Sequence, residues 1–187
     1  EKEFIGNGVS ACATCDGFFT KGRITSVFGN GHEAVEEALF LTKHAKQINV
    51  FCDKDDLEVE AELKEQLLSN ENVKLFTNAK LLEVLGNQYV EKVKVDIAGE
   101  IKEMESDFAF LYLGTKSNNE LYQGFAKLND EGYIITDENM ACEVEGVWAA
   151  GDIRERTVRQ VTTAVADGTL AGIEAIKYVM KKKREVK

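Results

Sequence analysis

Two cysteines separated by two residues, Cys12-Ala13-Thr14-Cys15, are the side chains of this sequence best placed for covalent chemistry. So short a spacing closes a strained, exchange-prone ring. Such a pair cycles between dithiol and disulfide and gains reactivity from a lowered thiol pKa. Half of a zinc site is the competing reading, and it needs a second Cys or His pair at ligand spacing. Cys52, Cys142, His32 and His44 are scattered singly, so redox chemistry is favoured and Cys52 and Cys142 read as packing residues. Asp16 follows the pair directly. A carboxyl beside a dithiol can protonate a leaving thiolate, which makes Asp16 a candidate general acid–base. A solvated turn aspartate has the same spacing.

A second pattern, Gly29-Asn30-Gly31-His32-Glu33-Ala34, has the G-x-G-x-x-A form of a loop that lets a backbone approach a pyrophosphate. Its context matters more than its letters. Ile24 to Phe28 reads as a buried strand before it, and Val35 to His44 as a helix after it, with Val35, Ala38, Leu39 and Leu41 at helical spacing. Ile48 to Phe51 is a second strand. This βαβ unit fixes the fold more firmly than it fixes a ligand. Asp55 to Ser69 reads as a charged amphipathic helix with Leu57, Ala61, Leu67 and Leu68 inward.

Short strands follow at Val73–Phe76, Leu81–Leu85, Tyr89–Ile97 and Ile101–Met104, with a hairpin turn at Ala98-Gly99-Glu100. Val93, Val95 and Ile97 alternate with Lys92, Lys94 and Asp96, so one face of that sheet meets water. Phe108 to Leu113 is a continuous apolar strand, and the polar stretch Thr115–Glu120 is the best linker. Gly132–Ile135 and Val147–Ala150 read as strands, and Thr162–Met180 as a closing helix. Its basic end, Lys181 to Arg184, suits the negative end of a helix dipole.

Composition narrows the function classes. The 187 residues carry 33 acids against 23 bases, a net charge of −10, which argues against a nucleic-acid binder. The hydrophobic share of 44% supports a packed core. No apolar run approaches the roughly 18 residues of a membrane helix, and Glu1-Lys2-Glu3 does not open a signal peptide. A reducing, cytoplasmic setting is expected. Proline is absent, so no turn uses its chemistry.

Gly8 to Phe19, around the cysteine pair, resembles the active-site segment of the low-molecular-weight thioredoxin reductases. Val35 to Thr42 resembles that family's first Rossmann helix. Gly146 to Asp152 and Arg159 to Ala164 resemble its C-terminal FAD segment, and the likeness runs through the whole chain in order. It implies an α/β fold: a Rossmann-like nucleotide-type domain, residues 1–116, bearing the redox pair, and the C-terminal half of a split FAD-binding domain, residues 117–187. The first half of the flavin domain is then expected to lie before Glu1, and without it the chain should bind FAD poorly. By the same resemblance Cys12 attacks the disulfide of thioredoxin, Cys15 faces the flavin, and Asp16 is the acid. Gly151 allows close backbone approach, and Asp152 accepts hydrogen bonds from the ribityl chain. Gln160 and Val161 set a helix N-terminus against the flavin ring, where the dipole suits the charge of reduced flavin. Arg159 and Ala164 complete the cofactor-binding set. The family also implies a homodimer.

The sequence departs from the family's NADPH-dependent members after the second strand. They carry a His-Arg-Arg segment and a further Arg, which hold the 2′-phosphate as guanidinium forks do. Here the stretch is Cys52-Asp53-Lys54-Asp55-Asp56-Leu57-Glu58, with Asp53 and Glu58 at two of the arginine places. Either Asp53 takes a ribose hydroxyl and the enzyme uses NADH, or the nucleotide site is vestigial. In the second case the flavin is reduced by ferredoxin, as in the ferredoxin-dependent flavin thioredoxin reductases. The ferredoxin reading is preferred. Asp53 falls one place beyond the strand end, and Glu33 puts an anion where a pyrophosphate must lie. The Thr115–Asn119 segment also lacks the proline common in the family. A peroxiredoxin reductase and a non-catalytic partner-binding module are the alternatives. Against the last, Cys12, Cys15, Asp16, Asp152 and Gln160 are all intact.

Overall fold

A computed structural model describes residues 2–185. The chain divides into two compact units, Glu1–Gly114 and Thr115–Lys187.

The first unit is α/β, as expected. Its strands β1 (Val9–Ser10), β2 (Ile24–Phe28), β3 (Gln47–Phe51), β4 (Val73–Phe76) and β8 (Phe108–Leu111) form one parallel sheet in the order β1-β8-β2-β3-β4. Strands β5 (Ala79–Gly86), β6 (Val90–Ile97) and β7 (Glu100–Glu105) form a separate antiparallel meander. Helix α1 (Ala13–Asp16) carries the cysteine pair, α2 (His32–Leu41) joins β2 to β3, and α3 (Ala61–Leu68) joins β3 to β4.

Strand period explains how the sheet is covered, because successive side chains point to opposite faces. Val27, Ile48, Val50 and Phe110 pack with Ala34, Val35, Ala38 and Leu41 of α2. Their neighbours Phe28, Phe51 and Ala109 pack with Val84, Val93 and Val95 of the meander. Phe51 stacks between Phe28 and Phe76, at 4.7 and 5.0 Å between ring centroids. With both faces buried, these strands read as continuous apolar runs rather than alternating ones.

The expected helix over Asp55–Ser69 is shorter. Residues before Ala61 form a loop, because their polar groups are engaged elsewhere. Glu58 N–H donates to the Asn30 carbonyl at 2.7 Å, and the Asp56 side chain takes the Leu57 N–H at 2.8 Å. Leu57 and Leu67 are buried as expected, but Ala61 and Leu68 face solvent. Strand β8 stops at Leu111, and Leu113 is exposed.

In the second unit, the expected strands at Gly132–Ile135 and Val147–Ala150 are only isolated bridges: Ile134 with Leu128 and Arg154, and Trp148 with Ala141. Ile134, Cys142 and Ala149 make a small core. Helix α4 runs over Val161–Glu185, longer than Thr162–Met180, with Lys182, Lys183 and Arg184 in its last turn. Its apolar side chains Val161, Val165, Ile173, Ile176 and Val179 are exposed. Among the described residues, no helix is long and apolar enough to cross a membrane.

Candidate active site

Cys12 and Cys15 form a disulfide across the single turn of α1, with Cα atoms 5.3 Å apart. Cys12 is the N-cap, and its Sγ accepts the Cys15 N–H at 3.2 Å. A thiolate at Cys12 therefore has a backbone donor in place. The remaining early N–H groups of this turn are also taken. Ala13 N–H donates to the Tyr112 hydroxyl at 3.0 Å, and Thr14 N–H donates to Glu37 Oε2 at 3.1 Å. Asp16 is half-buried and accepts from Ser10 Oγ at 2.6 Å, while the Cys12 N–H donates to that same Ser10 oxygen at 3.1 Å. Ser10 thus ties the carboxyl to the cap of the redox turn. A cleft of about 260 Å³, lined by Gly8, Ser10, Asp16, Phe19 and Tyr89 among others, opens beside this carboxyl. Phe18 and Phe19, three and four residues after Cys15, are 68% and 66% exposed, and their rings meet edge to face.

Cys52 and Cys142 are free and buried, and burial raises both thiols above their ordinary pKa. For Cys52 the carboxylates of Asp53, Asp56 and Glu58 push the same way. Neither thiol is primed as a nucleophile.

The glycine loop lies at the C-terminal ends of β2 and β3, where β2 is flanked by the sequence-distant β8. Dinucleotides bind at such switch points in open α/β sheets. Gly29, at φ +153°, packs so tightly that a Cβ there would lie 2.6 Å from the Tyr112 carbonyl oxygen and 2.7 Å from Ala34 Cβ. Gly31 meets nothing within 4 Å. A cleft of about 280 Å³ adjoins the loop, with Gly29, Asn30, Asp53 and Lys80 in its wall. The loop between β3 and α3 is fastened over this turn. Asn30 Nδ2 donates to Glu58 Oε2 at 2.6 Å, Lys54 pairs with the same carboxylate, and His32 Nε2 lies 3.1 Å from Glu60 Oε2.

In the second unit Gly151, buried at φ +81°, ends the Val147–Ala150 stretch and packs on α4, where an added Cβ would lie 3.4 Å from Ala164 Cβ. Gln160 precedes α4. Its N–H donates to Thr163 Oγ1 at 3.1 Å, a capping arrangement that leaves the first-turn amides to other partners. Val161, the first residue of α4, is 80% exposed. The Asp152 carboxyl is exposed. Arg159 turns its guanidinium onto the Tyr133 ring at 4.1 Å, and the Nε groups of Arg156 and Arg159 are buried without a partner. Unpaired arginine Nε donors, an exposed helix start and a glycine turn fit an anionic, hydroxyl-bearing cofactor such as FAD.

Sequence reasoning missed Asp167. This buried carboxylate accepts the Gly151 N–H at 3.1 Å, Arg154 Nη1 at 3.2 Å and Arg156 Nη1 at 2.8 Å. Breaking a buried pair costs about 3–5 kcal/mol, because the partner charges stay behind uncompensated. Asp167→Ala is expected to lower unfolding free energy by about that amount in urea titration. A loss within 1 kcal/mol would show that Asp167 does not hold the Gly151 turn.

A family model described as pyridine nucleotide-disulphide oxidoreductase matches residues 1–168. The chain belongs to this family. Within it, the thioredoxin reductase of Peptoclostridium litorale is 40% identical over 187 residues, covering 96% of this chain and 59% of the relative. The crystal structure of thioredoxin reductase from Streptococcus pyogenes superposes with a TM-score of 0.87 at 33% identity, covering 94% of this chain and 58% of that one. A ferredoxin-flavin thioredoxin reductase from Clostridium acetobutylicum matches with a TM-score of 0.51 at 26% identity, covering 97% of this chain and 58% of that one. The chain thus spans a little under three-fifths of the length of these family members.

Proposed function

We propose that the protein acts in flavin-dependent reduction of the thioredoxin disulfide through Cys12 and Cys15, with ferredoxin rather than NADPH as the electron donor. The observation that carries the reading is the Cys12–Cys15 disulfide on a turn whose cap, Cys12 Sγ, already accepts a backbone N–H. The likeness to thioredoxin reductases over 96% of the chain supports the substrate.

FAD, when bound and itself reduced by two one-electron transfers from the donor, would supply the two electrons that open the disulfide. Gly151, Asp152, Arg159, Gln160, Val161 and Ala164 would hold it, with Asp167 fixing the Gly151 turn. Cys15 is the more exposed thiol and is assigned to the cofactor side. Cys12 attacks the partner disulfide as a thiolate, steadied by the Cys15 N–H. Cys15 then displaces the partner's reduced thiol and restores the intramolecular disulfide. Asp16, kept beside the turn by Ser10, gives and takes the proton that this exchange moves. Phe18 and Phe19 offer an apolar contact for the incoming protein.

The donor assignment is supported by the Glu58 and Glu60 carboxylates fastened to Asn30 and His32, where a dinucleotide phosphate would need donors. The match to a ferredoxin-flavin thioredoxin reductase points the same way. A second reading, NADH as donor, is favoured by Asp53, which lines the same cleft as Gly29 and could take a ribose hydroxyl. The test is turnover of thioredoxin by the full-length protein. A yellow preparation should reduce thioredoxin with reduced ferredoxin. A colourless protein, or a flavoprotein that leaves thioredoxin oxidised with every donor, would overturn the proposal.

A further inference from the structure

Helix α1 is a single turn, too short to hold its own shape in water. It is held from outside by two residues that no part of the redox chemistry requires. Glu37, on α2, uses both carboxylate oxygens. Oε2 accepts the Thr14 N–H at 3.1 Å and the Tyr112 hydroxyl at 3.2 Å, while Oε1 accepts the Thr14 hydroxyl at 3.3 Å. Tyr112, just past β8, accepts the buried Ala13 N–H at 3.0 Å. Burial, together with the Glu37 charge, holds the Tyr112 phenol far above its ordinary pKa. It therefore remains a hydroxyl able to donate to Glu37 and accept from Ala13 at any working pH. Thr14 lies between the two cysteines, so the clamp grips the part of the chain whose geometry decides whether they pair.

We propose that Glu37 is a positioning residue that makes the Cys12–Cys15 disulfide harder to reduce, and so makes the dithiol a stronger reductant. The inference rests on these two cysteines being the redox-active pair. Two effects act with the same sign. The clamp keeps Cys12 and Cys15 close in the dithiol state as well as in the disulfide, so closing the bond loses less conformational entropy. The carboxylate, bonded to the turn that carries both sulfurs, disfavours the thiolates of the reduced form by like-charge repulsion. A reduced form that is poorly stabilised is the mark of a reducing couple, and one that is well stabilised of an oxidising couple.

The test is anaerobic equilibration of the full-length protein in glutathione buffers, with alkylation to count free thiols. In this exchange the disulfide and two glutathione thiols give the dithiol and one glutathione disulfide. Two electrons and two protons pass to the protein sulfurs. Glu37→Ala is expected to move the constant about tenfold toward the dithiol, which corresponds to about 30 mV. Glu37→Gln, nearly isosteric, removes the charge but keeps one acceptor. It is expected to move the constant several-fold the same way and to lower the Cys12 thiolate pKa, read by thiolate absorbance. Tyr112→Phe keeps the charge and loosens the clamp, so it should shift the constant without lowering that pKa. The Gln variant carries the test should the Ala variant fail to fold. Exchange constants within twofold of the unaltered protein for Glu37→Gln, or an unchanged Cys12 pKa in that variant, would overturn the inference. The measurement uses glutathione as the reductant and involves neither thioredoxin nor ferredoxin nor a pyridine nucleotide. Failure of the unaltered protein to turn over thioredoxin would sink the proposed function and leave these constants standing.

Discussion

Cys12→Ser is expected to abolish thioredoxin turnover while leaving the flavin reducible, and Cys15→Ser to accumulate a stable mixed disulfide with thioredoxin. The difference follows from the two sulfurs' places on α1. Cys12 caps the turn and its Sγ accepts the Cys15 N–H at 3.2 Å, which stabilises a thiolate there and makes it the nucleophile. Cys15 is exposed and resolves the mixed disulfide once Cys12 has formed it. Serine at position 12 removes the attacking thiol. Serine at position 15 leaves the attack intact and removes only the group that releases the partner. Gel analysis under non-reducing conditions separates the two cases. Trapping by Cys12→Ser alone, or normal turnover by Cys15→Ser, would reverse the assignment.

The second large effect concerns NADPH. Charge-assisted hydrogen bonds from a phosphate-binding arginine contribute about 1.5–3 kcal/mol each. Losing two costs about 3–6 kcal/mol, or roughly 10²- to 10⁴-fold in affinity. The acidic loop adds to this loss. A nucleotide phosphate would have to displace Glu58 from Asn30 and Lys54, and approach Asp53, which lines the same cleft. Lys54 is already engaged as a cation, paired with the Glu58 carboxylate. Placing arginine at Asp53, Lys54 and Glu58 together is expected to raise NADPH affinity by roughly 10²-fold or more, measured by titration calorimetry. The open space around Gly31 leaves room for a pyrophosphate to approach the backbone. No gain in NADPH affinity would mean that something other than the missing guanidinium groups closes the site.

The elements legible in the sequence were those whose signals are local. The β2–loop–α2–β3 unit could be read because Ile24–Phe28 and the glycine turn are contiguous, and because Ala34, Val35, Ala38 and Leu41 share one buried helix face. The meander was legible from its alternation at Val93 and Val95 and its Ala98-Gly99 turn. The acidic stretch from Asp55 was misread as helix because charge and spacing there resemble an exposed helix. Its backbone instead bonds to Asn30, far back in the sequence. In the second unit, short apolar runs around Ile134 and Trp148 suggest sheet, whereas each finds only isolated bridges. The supporting residues Glu37, Tyr112 and Asp167 were invisible for a related reason. Tyr112 reaches Ala13 across 99 positions of sequence, and Asp167 reaches Gly151 across 16. Nothing local marks such a partnership.

Rapid-mixing reduction of the full-length flavoprotein, followed by bleaching of the flavin absorbance, tests the central claim most directly. Reduced ferredoxin should bleach the flavin quickly and support thioredoxin reduction, NADH should act weakly or not at all, and micromolar NADPH should leave the absorbance unchanged. Rapid bleaching by micromolar NADPH would contradict the account and make the protein an ordinary NADPH-dependent reductase.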